Sequence, residues 1–361
     1  MKKILAIVQH RKGRSPGQRF RFEHFIPVLE ANGYEIIFSN IISEKDDQIF
    51  YYKGKYFAKL LIVLKSLRHR LKDLGKAKNC DAVFIYREAF MLGTTYFEKR
   101  LSKINIPVVF DFDDSIWLND TSEGNQNLAW MKKPEKTADI CRLSDLVIVG
   151  NQYLSEYAKK KNENVRIIPT TINTNYHKPL KEKTPSDKVC IGWTGTTTTL
   201  KHYDTAIPVL KRIKEKYGDK VYFKVIVNTE EWNIDFDVKL VKWSKENEIE
   251  ELCEFDIGIM PLPDDEWSKG KCGFKGIQCM ALKMPVIMSP VGVNTDIIDN
   301  EKNGYLADTE NEWFNYLCLL IDSFELRQQI GKTARKTIIE KYSVKVWENQ
   351  VLDIFNELTN G

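Results

Sequence analysis

The chain is organised around residues 269–294, KGKCGFKGIQCMALKMPVIMSPVGVN. They predict a glycine-bearing loop, a short buried helix, an apolar strand and a second tight turn. Gly273 lets backbone N–H groups approach a ligand closely because it carries no Cβ. Lys271 and Lys275 add positive charge where a helix N-terminus already favours an anion. A phosphate-bearing ligand is the simplest functional interpretation of this loop, and a crossover connection with solvated lysines is the structural alternative.

Apolar strand segments alternate with helical segments on both sides of this stretch. The first half contains KILAIVQ, EIIFS, AVFIY, PVVFDF, LVIVG and VRIIP; the second contains VCIGW, VYFKVIV, VKLVKW, FDIGIMPL, PVIMS and GYLAD. This alternation is typical of parallel sheets that helices cover on both faces. The polar segment Asn119–Lys133 interrupts it and is predicted to be a long loop.

The length of the chain predicts more than one domain. Its 361 residues exceed one ordinary hydrophobic core, and the polar stretch NTNYHKPLKEKTPSDK separates the two halves. The predicted fold class is α/β, with two doubly wound, Rossmann-like domains that face each other across a cleft. The expected domains are residues 1–178 and 179–340, and residues 341–361 are expected to form a helix that crosses back to the first domain.

Composition excludes several classes of protein. Apolar residues make up 43% and charged residues 29%, as in soluble globular proteins. No apolar run is long enough to span a membrane, and the N-terminal MKKILAIVQHRKG is predicted to be a first strand rather than a signal peptide. The seven cysteines lack C-x-x-C spacing, so neither a zinc site nor a disulfide framework is indicated. The expected location is the reducing cytoplasm.

Positive charge is concentrated in one segment, Lys53–Lys78. It carries nine Lys and Arg against the single Asp73, a balance of +8 in a chain whose net charge is +4. Apolar residues are interleaved at the spacing of one helical face. Such a helix either lies on an anionic membrane surface or packs its leucines on the sheet and exposes its lysines to water.

Two more loops are rich in glycine and follow the first strand of each half. In GWTGTTTTLKHY, Gly195 permits a sharp turn and the threonines offer a helix N-cap, so a diphosphate is expected on its backbone N–H groups. This is neither a Walker loop nor a G-x-G-x-x-G motif. The loop HRKGRSPGQRFR indicates an anion nearby, with a solvated basic loop as the alternative. Its positive residues are Arg11, Lys12, Arg14, Arg19 and Arg21.

Carboxylates cluster at the end of the strand PVVFDF. Asp111, Asp113 and Asp114 there are able to act as a general base, to hold sugar hydroxyls or to bind a divalent cation, and helix capping is the ordinary alternative. Arg87 and Glu88 follow a neighbouring strand in IYREAF. They form either a structural ion pair or part of an acceptor site.

Together these motifs resemble the family-four, or group 1, glycosyltransferases, which have the GT-B architecture of two Rossmann-like domains. The chain looks most like the branch with DFDDxIW in the first domain and GKCGFK, PV and SPVGVN in the second. SPGQRFRFEHFIPVLEANGYEI, GWTGT, DIGIMPL and NGYLA also fit in order, so the resemblance covers nearly the whole chain. It implies a hexosyltransferase-type enzyme that moves a sugar from a nucleotide-diphosphate sugar to a hydroxyl acceptor, usually with retention of configuration.

The resemblance also implies roles for the domains and for acceptor-side residues. The first domain is expected to bind the acceptor and the second the nucleotide sugar. Asp113 or Asp114 lies where the family has a histidine, and one of them is expected to orient or deprotonate the acceptor hydroxyl. Arg87 and Glu88 are expected on the acceptor side.

For the donor, the resemblance shows a departure from the family pattern. The two acidic positions of the family's E-x7-E pair fall on Gly270 and Gln278, so only the Gln278 amide is left to hydrogen-bond a ribose hydroxyl. Lys271 or Lys275 is expected to neutralise the diphosphate instead. The residues expected to bind the donor are Gly17, Arg19, Thr194, Gly195, Thr196, Lys271, Gly273, Phe274, Lys275 and Gln278.

The expected partners are a nucleotide sugar and a glycan or lipid-linked acceptor in surface polysaccharide or glycolipid synthesis. No metal, other cofactor or nucleic acid is expected, and membrane contact through Lys53–Lys78 would place the protein on the inner face of the plasma membrane. Two alternatives stay open. The missing acidic pair suits a non-catalytic nucleotide-sugar-binding protein, and a sugar-nucleotide epimerase shares the two-Rossmann architecture.

Overall fold

The structure of the chain is a computed structural model that describes residues 1–118, 127 and 130–360. The loop predicted for Asn119–Lys133 lies largely outside the described residues.

The chain forms two compact units. Unit 1 comprises Met1–Thr170 together with the C-terminal stretch from Trp347, and unit 2 comprises Thr171–Val346. The contacts thus divide the chain near residues 170 and 346. The boundaries expected at residues 178 and 340 remain predictions.

Unit 1 is built on one parallel sheet. Its strands are β1 (Lys2–His10), β2 (Tyr34–Ile42), β3 (Ala82–Tyr86), β4 (Val108–Phe112), β5 (Leu146–Val149) and β6 (Val165–Ile167). They lie in the order β2-β1-β3-β4-β5-β6, and every neighbouring pair is parallel. Strands β3, β4 and β5 are buried along their whole length. Because both faces of these strands are buried, their sequences are largely continuous apolar runs rather than alternating apolar and polar residues.

Unit 2 repeats the architecture with a second parallel sheet. Its strands are β7 (Val189–Thr194), β8 (Val221–Val227), β9 (Lys239–Lys242), β10 (Ile257–Met260), β11 (Val286–Met288) and β12 (Tyr305–Leu306). They lie in the order β12-β11-β10-β7-β8-β9. Every strand segment predicted in the two halves is therefore confirmed, as is the doubly wound α/β fold class.

Helices fill the connections between the strands, and none of those described combines the length and apolarity that a membrane crossing requires. In unit 1 they are α1 (Pro16–Arg21), α2 (Ile26–Ala31), α3 (Glu44–Phe50), α4 (Tyr56–Ala77), α5 (Tyr96–Leu101), α6 (Lys136–Leu143) and α7 (Gln152–Lys159). The others are α8 (Leu200–Asp204), α9 (Ile207–Tyr217), α10 (Glu248–Cys253), α11 (Glu266–Lys269), α12 (Phe274–Ala281), α13 (Asn294–Ile297), α14 (Glu310–Asp322), α15 (Phe324–Thr337) and α16 (Val344–Asn360).

The C-terminal helix α16 packs on unit 1, as the sequence predicts. The Tyr34 hydroxyl donates to the Asn356 side chain (2.8 Å), and the Lys2 ammonium donates to the Thr359 hydroxyl (3.0 Å). Phe355 is buried against the ring of Tyr34. Helix α16 therefore contacts the N-terminal ends of β1 and β2.

One buried ion pair joins α1 to the centre of the unit 1 sheet. The Arg21 guanidinium donates to both carboxylate oxygens of Asp111 (2.6 and 3.1 Å) and to the backbone carbonyl of Ile168. Both side chains are almost fully buried. Burial raises the pKa of Asp111, and the positive charge of Arg21 opposes that rise. Asp111 is therefore a structural residue, separate from the chemistry that the sequence suggested for the three clustered aspartates.

We expect Arg21→Met to destabilise unit 1 by about 3–5 kcal/mol, because it leaves the Asp111 carboxylate buried without its partner. Arg166→Ala, which removes a surface pair with Glu357, should cost no more than about 1 kcal/mol. Urea unfolding of the two variants measures the difference. If both variants lost the same small amount of unfolding free energy, the buried ion pair would not be needed for the stability of unit 1.

Candidate functional site

In each sheet the strand order reverses at one point, and the loops at that point form a crevice that is the usual ligand site of doubly wound folds. In unit 1 the reversal lies between β1 and β3, and in unit 2 it lies between β7 and β10. The predicted site residues follow these four strands or their immediate neighbours. Each unit therefore has its own candidate site.

In unit 1 a charged cluster stands at the ends of β3 and β4. The Asp113 carboxylate accepts hydrogen bonds from the Tyr86 hydroxyl (2.8 Å) and from Nε and Nη2 of Arg87 (3.1 and 2.8 Å). Arg87 Nη2 also donates to Asp114. The structure therefore brings together Arg87, Asp113 and Asp114, with one guanidinium bridging both carboxylates.

The backbone at Arg87 is held in a rarely adopted conformation, with φ at +63°. A non-glycine residue pays a conformational cost there, and such residues concentrate at functional sites. Glu88 points elsewhere: its carboxylate contacts the Lys136 ammonium at 2.7 Å, and the same ammonium donates to the carbonyls of Phe90 and Leu92. Glu88 therefore fixes the turn, while Arg87 reaches the carboxylates.

Gly17 packs directly on this cluster. A Cβ added at Gly17 would lie 2.1 Å from the Tyr86 hydroxyl and 2.9 Å from Asp113 Oδ2, so no larger residue fits without a shift of the site. Arg19, in the same helix, is largely buried, with its guanidinium carbon 4.9 Å from the centre of the Phe20 ring. Gly17 thus stands beside the predicted catalytic carboxylates of unit 1.

The basic loop that suggested an anion is largely neutralised by protein carboxylates. Arg11 Nη1 donates to Asp47 at 2.9 Å, and Arg14 binds both oxygens of the same carboxylate. Arg21 pairs with Asp111. Three of the five positive charges thus have acidic partners that the sequence pattern did not reveal.

In unit 2 the turn after β7 is tightly structured. Thr194 ends the strand and is buried, and the Gly195 N–H donates to the Ile226 carbonyl (3.0 Å). The Thr196 N–H donates to the Thr199 hydroxyl (2.9 Å), which in turn donates to the Thr196 carbonyl (2.9 Å). The threonines thus close the short 3-10 turn Thr197–Thr199 that precedes α8.

The second loop of this crevice carries the two lysines. Gly273 caps α12 with φ at +66°, and a Cβ there would lie 2.2 Å from Ile297. The Lys271 ammonium lies 4.9 Å from the ring centre of Trp267, and the Lys275 ammonium lies 4.5 Å from that of Trp193. Aromatic faces therefore hold both cations near the start of α12. Phe274, the first residue of α12, is half-buried.

Gln278 is buried in α12, and its amide lies 3.4 Å from the carboxylate of Glu248. The same Glu248 oxygen accepts from the indole N–H of Trp243 (3.1 Å). No local motif indicates Glu248, because it lies 30 residues from Gln278 along the chain. A carboxylate therefore stands beside the position where the family's acidic pair is absent.

His202 is a second residue that the sequence analysis missed. It is 1% exposed, and neither of its ring nitrogens has a hydrogen-bond partner among the described residues. Burial, followed by the charges of Lys275, Lys271 and Lys201, lowers its pKa to about 4, and Asp265 opposes this. A buried polar group without a partner is rare and points to a ligand or ordered water. Its position beside Lys201 in GWTGTTTTLKHY was the available signal.

Metal binding has no prepared site in the described part of the chain. Within residues 1–118, 127 and 130–360, no group of three or more His, Cys, Asp or Glu side chains is placed to hold an ion. Asp111 and Asp113 follow the D-x-D spacing, but their carboxylates have different partners: Arg21 holds Asp111, while Arg87 and Tyr86 hold Asp113.

Comparisons with solved structures define the class of fold. A sucrose-phosphate synthase from Thermosynechococcus elongatus superposes with a TM-score of 0.70 at 14% identity over all of both chains. A glycosyltransferase from Rickettsia africae gives 0.69 at 14% identity, over 99% of this chain and 98% of its own. Anabaena Alr3699/HepE in complex with UDP-glucose superposes with a TM-score of 0.68 at 13% identity, over 99% of this chain and 100% of its own. The fold is GT-B.

Sequence comparisons match part of the chain. Residues 188–323, within unit 2, match the family model described as Glycosyl transferases group 1. A poly(ribitol-phosphate) alpha-N-acetylglucosaminyltransferase from Staphylococcus aureus is 32% identical over 87 residues, which cover 23% of this chain and 18% of that protein's length. Over residues 188–323 the chain is therefore similar to the group 1 glycosyltransferases, in agreement with the resemblance of its motifs.

The buried His202 predicts a specific acid sensitivity. The unfolded chain takes up a proton as the pH falls through about 6.5, whereas the folded site resists protonation down to about pH 4. Stability that is present above pH 6.5 is therefore lost below it, by about 2 kcal/mol at pH 5 for this one residue. Between pH 7.5 and pH 5 we therefore expect the free energy of unfolding to fall by about 2 kcal/mol less in His202→Gln than in the wild type.

Urea unfolding at both pH values measures this effect. His24→Gln serves as the control, because His24 is half-buried in unit 1 beside Phe20 and Phe25. An equal acid loss in the wild type and in His202→Gln would contradict the assignment.

Proposed function

We propose that the chain is a glycosyltransferase that moves a sugar from a nucleotide-diphosphate sugar to a hydroxyl group on a glycan or lipid-linked saccharide. One observation carries this proposal: the family match over residues 188–323 contains the crevice where Lys271, Lys275 and His202 meet. The GT-B neighbours include a protein solved with UDP-glucose. Surface polysaccharide or glycolipid synthesis is the proposed setting, as the S. aureus relative acts on poly(ribitol-phosphate) by its name.

The proposed donor site lies in unit 2. Lys271 and Lys275 neutralise the diphosphate and stabilise the charge that develops on the leaving group. Backbone N–H groups at the start of α12, after the left-handed Gly273, supply further donors. Thr194, Gly195 and Thr196 form the opposite turn, and Gln278 together with Glu248 faces the ribose. The proposal for Gly17 and Arg19, which the sequence predicts to bind the donor, concerns unit 1 by itself, where Gly17 lies beside Asp113.

The proposed acceptor chemistry lies in unit 1. Asp113 or Asp114 orients or deprotonates the acceptor hydroxyl, and Arg87 sets the position of both carboxylates. Glu88 supports the acceptor turn through Lys136. We propose retention of configuration and no metal requirement, so that chelation should leave turnover unchanged. The proposed location is the cytoplasm and the inner face of the plasma membrane, which α4 contacts.

The first test is acceptor-free incubation with a panel of nucleotide sugars. Slow release of UDP, GDP or dTDP from one donor supports a transferase and names that donor. A changed sugar without an acceptor would instead indicate an epimerase. Tight binding without release, also when a lipid-linked acceptor is supplied, would indicate a non-catalytic binding protein.

We expect Lys271→Ala and Lys275→Ala each to weaken nucleotide-sugar affinity about 10- to 100-fold, because each removes a charge-assisted contact worth about 1.5–3 kcal/mol. Lys332→Ala, an exposed lysine of α15 in the same unit, is the control. Calorimetric titration with UDP-, GDP- and dTDP-sugars measures the affinities. Wild-type affinity in both site variants would refute the proposed donor site.

We expect Asp113→Asn or Asp114→Asn to lower kcat on the true acceptor by about 100-fold or more, the contribution typical of a positioned base. Donor affinity should not change, because the proposed lysine contacts lie in unit 2. Asp139→Asn, which alters a surface pair with Arg142, is the matched control. Full turnover in both site variants would rule out a catalytic role for these carboxylates.

A further inference from the structure

Helix α4 carries its apolar side chains on the outside of unit 1. Seven large apolar residues of this one helix are between 36% and 75% exposed. Scattered exposed leucines are ordinary, but a contiguous apolar stripe on a soluble protein marks an interaction surface. The exposed stripe consists of Tyr56, Phe57, Leu60, Leu61, Leu64, Leu67 and Leu71.

The inward face of the same helix buries Ile62 and Ala77 together with four polar or charged residues, Lys59, Ser66, Arg70 and Asp73. Arg70 and Asp73 are each 1% exposed and form a direct ion pair at 2.7 Å. Arg70 also donates to the carbonyls of Val8 and Ala89, both at 2.6 Å, and the Ser39 hydroxyl donates to Asp73 at 2.6 Å. Rotating the leucines inward would expose or break this buried charge network, at a cost of several kcal/mol. The outward direction of the apolar stripe is therefore fixed.

Positive side chains border the stripe. Lys53, Lys55, Arg68, Lys72 and Lys78 are all exposed, in the segment whose charge balance is +8. An apolar stripe with basic borders matches an interfacial helix, which buries its apolar side chains at the level of the acyl chains and keeps its cations among the headgroups. Each basic residue near an anionic leaflet adds about 1 kcal/mol of attraction.

We propose that helix α4 lies flat on a bilayer of anionic phospholipids, with the stripe buried in the headgroup and acyl boundary. The stripe runs from Tyr56 to Leu71, which makes a contact about 24 Å long. This inference deepens the proposed membrane location by naming the surface and the lipid charge. It does not require transferase activity.

A second copy of the chain is a less favourable occupant. Phe57, Leu60, Leu64, Leu67 and Leu71 follow the 3-4 spacing of a coiled coil, but they cover only about two heptads, fewer than the three or four that mark one. Pairing two copies would also bring two strongly basic helices together, whereas anionic lipid complements their charge.

Flotation of the full chain with vesicles tests the proposal. The wild type should float with vesicles of phosphatidylglycerol and phosphatidylcholine in equal parts, but not with phosphatidylcholine alone, and high salt should weaken the binding. The combined variant Leu60→Ser, Leu64→Ser and Leu71→Ser should abolish flotation. Arg68→Gln with Lys72→Gln should lower partitioning about 25-fold, about fivefold for each charge.

Two matched controls use surfaces away from the stripe. Leu319→Ser replaces an isolated leucine of unit 2 that is 50% exposed, and Lys159→Gln with Lys160→Gln removes two exposed charges of unit 1; both should float like the wild type. No flotation of the wild type, or equal losses in the controls, would overturn the proposal. A wild-type dimer in light scattering that the triple serine variant makes monomeric would assign the stripe to self-association instead.

Nucleotide-sugar binding without vesicles separates this inference from the proposed function. The triple serine variant should keep wild-type donor affinity, because its substitutions are exposed positions of unit 1. Wild-type flotation without any donor binding would remove the proposed donor site and leave the membrane surface intact.

Discussion

The reversal of strand order in each parallel sheet is the constraint on which both candidate sites depend. At the reversal, connections leave two neighbouring strands toward opposite faces of the sheet, so their carboxyl ends stay uncovered and open a crevice. In unit 1 this places the turns after β1 and β3 beside Asp113. In unit 2 it brings the turn after β7 next to the loop that carries Lys271 and Lys275. Side chains that lie far apart in sequence meet there without any local motif linking them.

Buried charges hold the unit 1 crevice in shape. Arg21 with Asp111 ties α1 to β4, Arg70 with Asp73 ties α4 to the ends of β1 and β2, and Lys136 fixes the turn that carries Glu88. All three cations also donate to backbone carbonyls. Buried ion pairs add little net stability but are costly to break, so they select one arrangement over its alternatives. The strained backbone of Arg87 lies in the same unit as these buried ion pairs.

Each unit has one unusual placement of polar or apolar side chains. In unit 2 a neutral, buried His202 lies among lysines, where an anionic ligand would relieve both the positive potential and the missing hydrogen bonds. In unit 1 the Arg70–Asp73 ion pair of α4 is buried, while seven large apolar side chains of the same helix are exposed. The proposed partners of these two features are an anionic donor in unit 2 and an anionic lipid surface in unit 1.

The twelve strands and the doubly wound fold class follow from the sequence alone, because apolar runs and turn residues are local signals that report burial directly. The sequence also placed Asp113, Asp114, Lys271 and Lys275 at strand ends and loops. Only the tertiary structure decided that Asp47 neutralises Arg11 and Arg14, that Glu248 stands beside Gln278, and that the leucines of α4 face outward. Periodicity shows that a helix has two faces, but which face meets the core depends on charges brought there by distant parts of the chain.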